Sequence, residues 1–182
     1  MKIIILPGNS SENRVWAQNL KKELQTKFND IIIQEYEHWK TKEPLINLNQ
    51  ELEKLKNLIA QIRSDYIIIG KSAGVILALK AIYEIRITPK LCIFLGSAIN
   101  WAKDNRVVGE ALLKDWLKEY KITTLFIQKS KDPAINVDEL KKLLNENKVK
   151  NYEIYEISGE DHEYNDFQLL GEIIVKFIEK SK

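Results

Sequence analysis

The pentapeptide Gly70-Lys71-Ser72-Ala73-Gly74 has two chemical readings. Gly70-Lys71-Ser72 carries the residue types that close a phosphate-binding loop, in which the lysine and the hydroxyl serve a nucleotide and its magnesium. Gly70-x-Ser72-x-Gly74 carries those of a strained turn that presents a serine nucleophile. A phosphate loop requires a glycine five positions before the Gly-Lys-Ser, because the intervening residues must curl round the phosphates and aim N–H groups at them. Asp65 occupies that position, and the apolar run 66–69 leads straight into Gly70, leaving no residues for the loop. The phosphate reading fails on geometry. The nucleophile turn requires a strand, small residues two before and two after the serine, and then a helix, and "YIIIGKSAGVILALKAI" supplies all three. The start of that helix places its positive dipole end near Ser72, where an anion would develop.

A serine hydroxyl is a weak nucleophile near neutral pH until a base takes its proton, so a histidine is required, with a carboxylate to orient it. The chain has two histidines. His162, in "SGEDHEYND", follows the last strand-like run and precedes the last helical pattern, a loop expected at the carboxyl ends of the strands. His38, in "EYEHWK", follows the second run near the sheet edge and reads as an ordinary surface residue. Asp132, in "KSKDPAI", follows the fifth run, with Pro133 stiffening the turn, and gives the order serine, acid, histidine. Two other acids compete for that role. Asp161 adjoins His162 in sequence, so its side chain should diverge from the imidazole, and Asp166 reads as a cap or first-turn acid of the last helix. Acyl transfer also needs oxyanion donors, for which the backbone N–H groups of Ala73 and Asn9 are the candidates; Gly8 lets the chain turn in "LPGNSS". Ser10, Lys71 and Trp101 are candidate pocket residues, Trp101 because its loop "GSAINWAKDN" should open on the same face.

These groups need a frame. Short apolar runs at 3–6, 31–33, 66–69, 91–95, 122–127 and 152–157 read as strands, the first four rich in Ile on both parities, as strands buried on both faces are. "YEIYEI" at 152–157 carries glutamates and reads as an edge. Between the runs lie helical patterns: Trp16, Leu20, Leu24 and Phe28; Leu52, Leu55, Leu58, Ile59 and Ile62; then 75–85, 107–117, 137–144 and 167–178. The alternation predicts a three-layer, doubly wound α/β sandwich around a mostly parallel six-stranded sheet, with ligands at the carboxyl ends of the strands.

At 182 residues the chain is read as one domain, 1–182, and no repeat or linker interrupts it. Its 28 basic and 26 acidic residues leave a net charge of +2, so no global field argues for nucleic acid or an anionic membrane. The single cysteine, Cys92, lies in "LCIFLG" and reads as a buried, inert thiol. The start "MKIIILPG" is too short for a signal-peptide core, and no run approaches a membrane span, so the expectation is a cytoplasmic protein.

Taken together, "IIILPGNSS", "YIIIGKSAG", "KDPAI" and "GEDHEYNDF", in this order over nearly the full length, resemble the α/β-hydrolase superfamily. Within it they are similar to small serine hydrolases related to retinoblastoma-binding protein 9. The resemblance implies a minimal α/β-hydrolase fold without a large lid and a triad of Ser72, Asp132 and His162. It also implies an oxyanion hole near Asn9 and Ala73, and cleavage of an ester, thioester or similar acyl bond in a small substrate without metal or cofactor. Lys71 departs from the pattern, since the residue before the serine is often histidine. A non-catalytic protein-binding module on the same fold, or transfer of the acyl group to an acceptor other than water, are the alternatives; no feature identifies a protein partner.

Overall fold

The computed structural model describes residues 1–104 and 107–181. Its strands are β1 (Lys2–Leu6), β2 (Ile31–Ile33), β3 (Tyr66–Lys71), β4 (Leu91–Leu95), β5 (Thr124–Lys129) and β6 (Tyr152–Ile157). They form one sheet in the order β2-β1-β3-β4-β5-β6, and all pairings are parallel. Parallel neighbours need crossover connections, which the helices α1 (Asn13–Leu24), α2 (His38–Thr41), α3 (Leu48–Ala60), α4 (Ala73–Glu84), α5 (Ile99–Asp104), α6 (Glu110–Lys118), α7 (Val137–Glu146) and α8 (Phe167–Lys180) provide.

Successive strand residues face opposite sides of a sheet, and here both sides are covered. Ile4, Leu6, Ile68, Cys92, Phe94 and Phe126 pack with apolar residues of α3, α4, α6 and α7. Ile3, Ile5, Ile67, Ile69, Ile93, Leu125 and Ile127 pack on the other side, with α1 and α8. This is why the central strands read as unbroken apolar runs and not as alternations. Burial drives the Cys92 thiol up to about 12, so it is no nucleophile at neutral pH. At the edge, β6 is half exposed, and its Glu153 pairs with Lys180 at 2.6 Å.

The chain order reverses beside β1: β2 lies on one side of it, and β3 through β6 extend on the other. The carboxyl ends of β1 and β3 therefore flank the switch point, where ligands settle in open α/β sheets. Gly8 and Asn9 follow one of these strands, and Ser72 follows the other.

Several boundaries differ from those expected. The fifth strand is shifted two residues along, to Thr124–Lys129, and Thr124 Oγ1 donates to the Ile122 carbonyl just before it at 2.9 Å. The helix expected over 107–117 starts at Glu110, with Gly109 in extended conformation as its N-cap. Trp101 lies on a separate short helix, α5. Phe28 lies beyond the end of α1 but still packs against the same core. Among the described residues, no helix is long and apolar enough to cross a membrane.

Candidate active site

β3 runs through Lys71 and turns sharply at Ser72, whose φ of 53° and ψ of −115° are unusual for a residue with a side chain. The turn is held open-ended. The Ser72 N–H donates to the Leu95 carbonyl of β4 at 3.0 Å, and the Ser72 carbonyl accepts from Val75 N at 3.0 Å. α4 begins immediately and crosses the end of β1 so closely that a Cβ at Gly74 would lie 1.9 Å from the Leu6 carbonyl oxygen. That atom is backbone and cannot step aside. Gly74→Ala is therefore expected to lower stability by about 3 kcal/mol or more, read by urea unfolding; stability within 1 kcal/mol of the native protein would mean α4 is free to lift off β1.

Ser72, Asp132 and His162 meet at this turn. His162 Nε2 lies 2.9 Å from Ser72 Oγ, and its Nδ1 lies 2.8 and 3.0 Å from the two oxygens of Asp132. A carboxylate only accepts, so Nδ1 carries the proton, and in the neutral ring Nε2 is left as the acceptor for the Ser72 hydroxyl. The Asp132 side chain is wholly buried. It also accepts from Ala134 N at 2.8 Å and from the Tyr164 hydroxyl at 2.7 Å. Gly96, with φ of +51°, makes room for this group: a Cβ there would lie 2.6 Å from the Tyr164 ring and 3.1 Å from His162 Cε1.

Tyr164 is a site residue that no spacing rule pointed to, although it stands two places after His162 in "DHEY". Burial and the Asp132 charge push its phenol far above the usual tyrosine range, so it stays a donor. Its hydroxyl also accepts from Lys129 N at 2.9 Å, and its carbonyl accepts from Trp16 Nε1 at 2.6 Å. Tyr164→Phe removes a donor from the carboxylate and an acceptor from Lys129. We expect a loss of about 1–3 kcal/mol in stability, measured by denaturant unfolding. An unchanged midpoint would show that water replaces the hydroxyl. Of the rival acids, Asp161 turns away to Lys129 Nζ at 2.6 Å, and Asp166 caps α8 by accepting from Leu169 N at 3.1 Å.

The loop after β1 is fastened by residues that sequence reasoning undervalued. His38 is not a surface side chain; it is buried, with Nε2 2.7 Å from the Asn9 carbonyl oxygen. A carbonyl only accepts, so His38 carries its proton on Nε2. Trp39 Nε1 donates to the same carbonyl at 2.8 Å, and the Tyr36 hydroxyl donates to the Pro7 carbonyl at 2.9 Å. The Asn9 side chain completes the fastening, donating to the Pro44 carbonyl at 2.9 Å and accepting from Ile46 N at 2.8 Å. What could have signalled this is the density of ring residues in "EYEHWK", placed directly after a strand at the ligand end of the sheet. Among the described residues, neither Asn9 N–H nor Ala73 N–H donates to a protein acceptor. Ala73 opens α4, and the first amides of a helix have no partner within it.

These elements border a cleft of about 800 Å³ that includes Asn9, Ser10, Lys71, Ser72, Ala73 and His162. Its other walls are largely apolar. Val15, Leu45 and Trp101, all solvent-exposed, line it, and the Trp101 ring lies against His162 with centroids 4.6 Å apart. Every pocket residue expected from the sequence thus borders the same space. Among the described residues, no three His, Cys, Asp or Glu side chains converge as a metal site would need.

No protein family and no curated protein matches the chain by sequence. Solved structures do match. The ferulic-acid complex of Est1E from Butyrivibrio proteoclasticus superimposes with a TM-score of 0.73 at 15% identity, covering 100% of this chain and 89% of that one. A monoacylglycerol lipase from Paleococcus ferrophilus gives 0.72 at 10% identity, over 99% and 94%. Alpha/beta hydrolase domain-containing protein 10 from mouse gives 0.72 at 14% identity, over 100% and 90%. The chain has the α/β-hydrolase fold.

Proposed function

We propose that this chain is a serine hydrolase that cleaves a carboxylic ester, thioester or similar acyl bond through an acyl-enzyme. The observation that carries this is the chain of contacts from Asp132 through His162 to Ser72, on a strained turn at the sheet's switch point. In the proposed cycle, Ser72 Oγ attacks the acyl carbon while His162 Nε2 takes the hydroxyl proton. The tetrahedral oxyanion is met by the N–H groups of Ala73 and Asn9. Collapse expels the alcohol or thiol, which leaves with the proton from His162. Water then attacks the acyl-enzyme by the same route in reverse, His162 acting first as base and then as acid, and the acid product departs. Asp132 keeps the imidazole in the tautomer that both halves require.

The apolar walls of the cleft support acyl or alcohol groups of hydrocarbon character. The test is labelling by a fluorophosphonate, with the modified residue located by peptide mass spectrometry. A single adduct on Ser72, together with turnover of a p-nitrophenyl ester, is expected. Well-folded protein that neither reacts nor turns over would leave a binding module in place of the enzyme. Ester products with added alcohols, dominant over the free acid, would replace water with another acceptor.

A further inference from the structure

Lys71 has no part in the cycle above, yet it is one of the least usual residues of the cleft. Its side chain is buried, 4% exposed, at a place where desolvation pulls its pKa below the usual lysine value and the charges of Glu163 and Asp132 raise it only in part. Its hydrogen-bond partner is a neutral one: Nζ donates to Asn13 Oδ1 at 2.8 Å. The Asn13 amide is oriented by its own donation from Nδ2 to the Ser10 carbonyl at 3.1 Å, so the oxygen end faces the lysine. The ammonium also lies 5.3 Å from the centre of the Trp16 ring. Among the described residues, no carboxylate comes within the 4.0 Å of an ion pair with it.

An ammonium has three N–H donors, and Asn13 takes one. Lys71, Asn13 and Trp16 all border the cleft that holds Ser72, so the donors that Asn13 leaves over belong to a residue of the cleft wall. The nearby acids offset this charge only in part. Glu12 and Glu163 are exposed at the rim of the cleft, where solvent screens them, and Asp132 is engaged by His162 and Tyr164. A buried cation with no carboxylate in ion-pair contact is costly, and an anion brought by a ligand would lower that cost.

We propose that Lys71 forms an anion subsite beside Ser72, which takes a carboxylate carried by the substrate close to the scissile acyl bond. This rests on Ser72 being the nucleophile, and it narrows the substrate class to esters or thioesters with a hydrocarbon body and one acidic group. The apolar rim admits the body, and the floor binds the charge.

Two matched pairs of aryl esters test this after subtraction of spontaneous hydrolysis. The acyl arm is probed by an aryl pentanoate against the mono-aryl ester of glutaric acid, and the alcohol arm by phenyl butyrate against 4-carboxyphenyl butyrate. The native protein is expected to favour the carboxylate of one pair by on the order of tenfold in kcat/KM, the worth of one charge-assisted hydrogen bond. Lys71→Met is expected to abolish that preference, read as the ratio within the pair. Lys71→Arg, which keeps the charge, should retain part of it. A binding measurement separates this subsite from the proposed chemistry. Glutarate added to the Ser72→Ala variant should change tryptophan fluorescence saturably, through Trp16, and the Lys71→Met substitution on that background should remove the change. Saturable binding in a protein that fluorophosphonate does not label would uphold the anion subsite while the hydrolase reading fails. No preference in either pair together with no saturable binding would overturn the subsite, as would a preference that survives Lys71→Met.

Discussion

Ser72→Ala is expected to lower hydrolysis of activated aryl esters by on the order of 10⁴- to 10⁶-fold and to end fluorophosphonate labelling, while the unfolding midpoint moves by only a few degrees. The two readouts separate because of how the turn is built. The strained backbone of Ser72 is imposed by its surroundings: its N–H is tied to Leu95, its carbonyl to Val75, and Gly74 is pressed on Leu6. None of these uses the side chain. The hydroxyl's hydrogen bond is the 2.9 Å contact to His162 Nε2, so the loss falls on chemistry, not on the fold. A residual rate above background is expected, because the Asn9 and Ala73 amides and the cleft remain. Undiminished hydrolysis by folded Ser72→Ala protein would sink the serine-hydrolase reading outright.

Much of this site was legible because the relevant signals are local. Gly70 and Gly74 bracket Ser72 between an apolar strand and an apolar helix, and the packing of Gly74 against Leu6 is the steric reason such a turn needs glycine. Asp132 and His162 were singled out by their place after successive strands, and a parallel sheet brings the carboxyl ends of those strands to the same end as that of β3. Each missed feature depends on long-range packing. His38 looked like a surface residue because a three-residue strand and a four-residue helix carry too little periodicity to show which side is covered. Its ring lies against Tyr36 and Trp39, and its hydrogen-bond partner, the Asn9 carbonyl, is 29 positions away. Tyr164 was passed over because its acceptor, Asp132, lies 32 residues back in the chain. The start of α6 was misplaced for a different reason: Val107 and Val108 continue an apolar pattern, but Gly109 is extended and resets the chain before Glu110. Periodicity records burial and not hydrogen bonding, so it ran through the break.

Asp132→Asn is expected to reduce kcat/KM by on the order of 10⁴-fold while leaving a folded protein. Three donors converge on this carboxylate: Ala134 N, the Tyr164 hydroxyl and His162 Nδ1. A carboxylate accepts all three on two oxygens, whereas a carboxamide has one oxygen and presents an NH₂ group in place of the other. Ala134 N holds the oxygen on its side, since a backbone amide cannot become an acceptor. The NH₂ group therefore takes the place of Oδ2, 2.7 Å from the Tyr164 hydroxyl and 3.0 Å from His162 Nδ1, while the oxygen that remains is the one 2.8 Å from Nδ1. The hydroxyl of Tyr164 can rotate and accept, and His162 Nδ1 either keeps its proton toward the remaining oxygen or, where it accepts from the NH₂ group, moves that proton to Nε2. The second tautomer points an N–H at Ser72 Oγ and cannot take the proton the attack must release, and the first faces an uncharged group that no longer stabilises the imidazolium formed when it does. The expected signature is a fall in ester turnover and in the rate of fluorophosphonate labelling by similar factors, because both begin with the same proton transfer, with a smaller effect on the unfolding midpoint. A loss below tenfold would show that His162 holds its productive tautomer without the charge, leaving Asp132 a structural anchor for Tyr164 and the 132–134 turn.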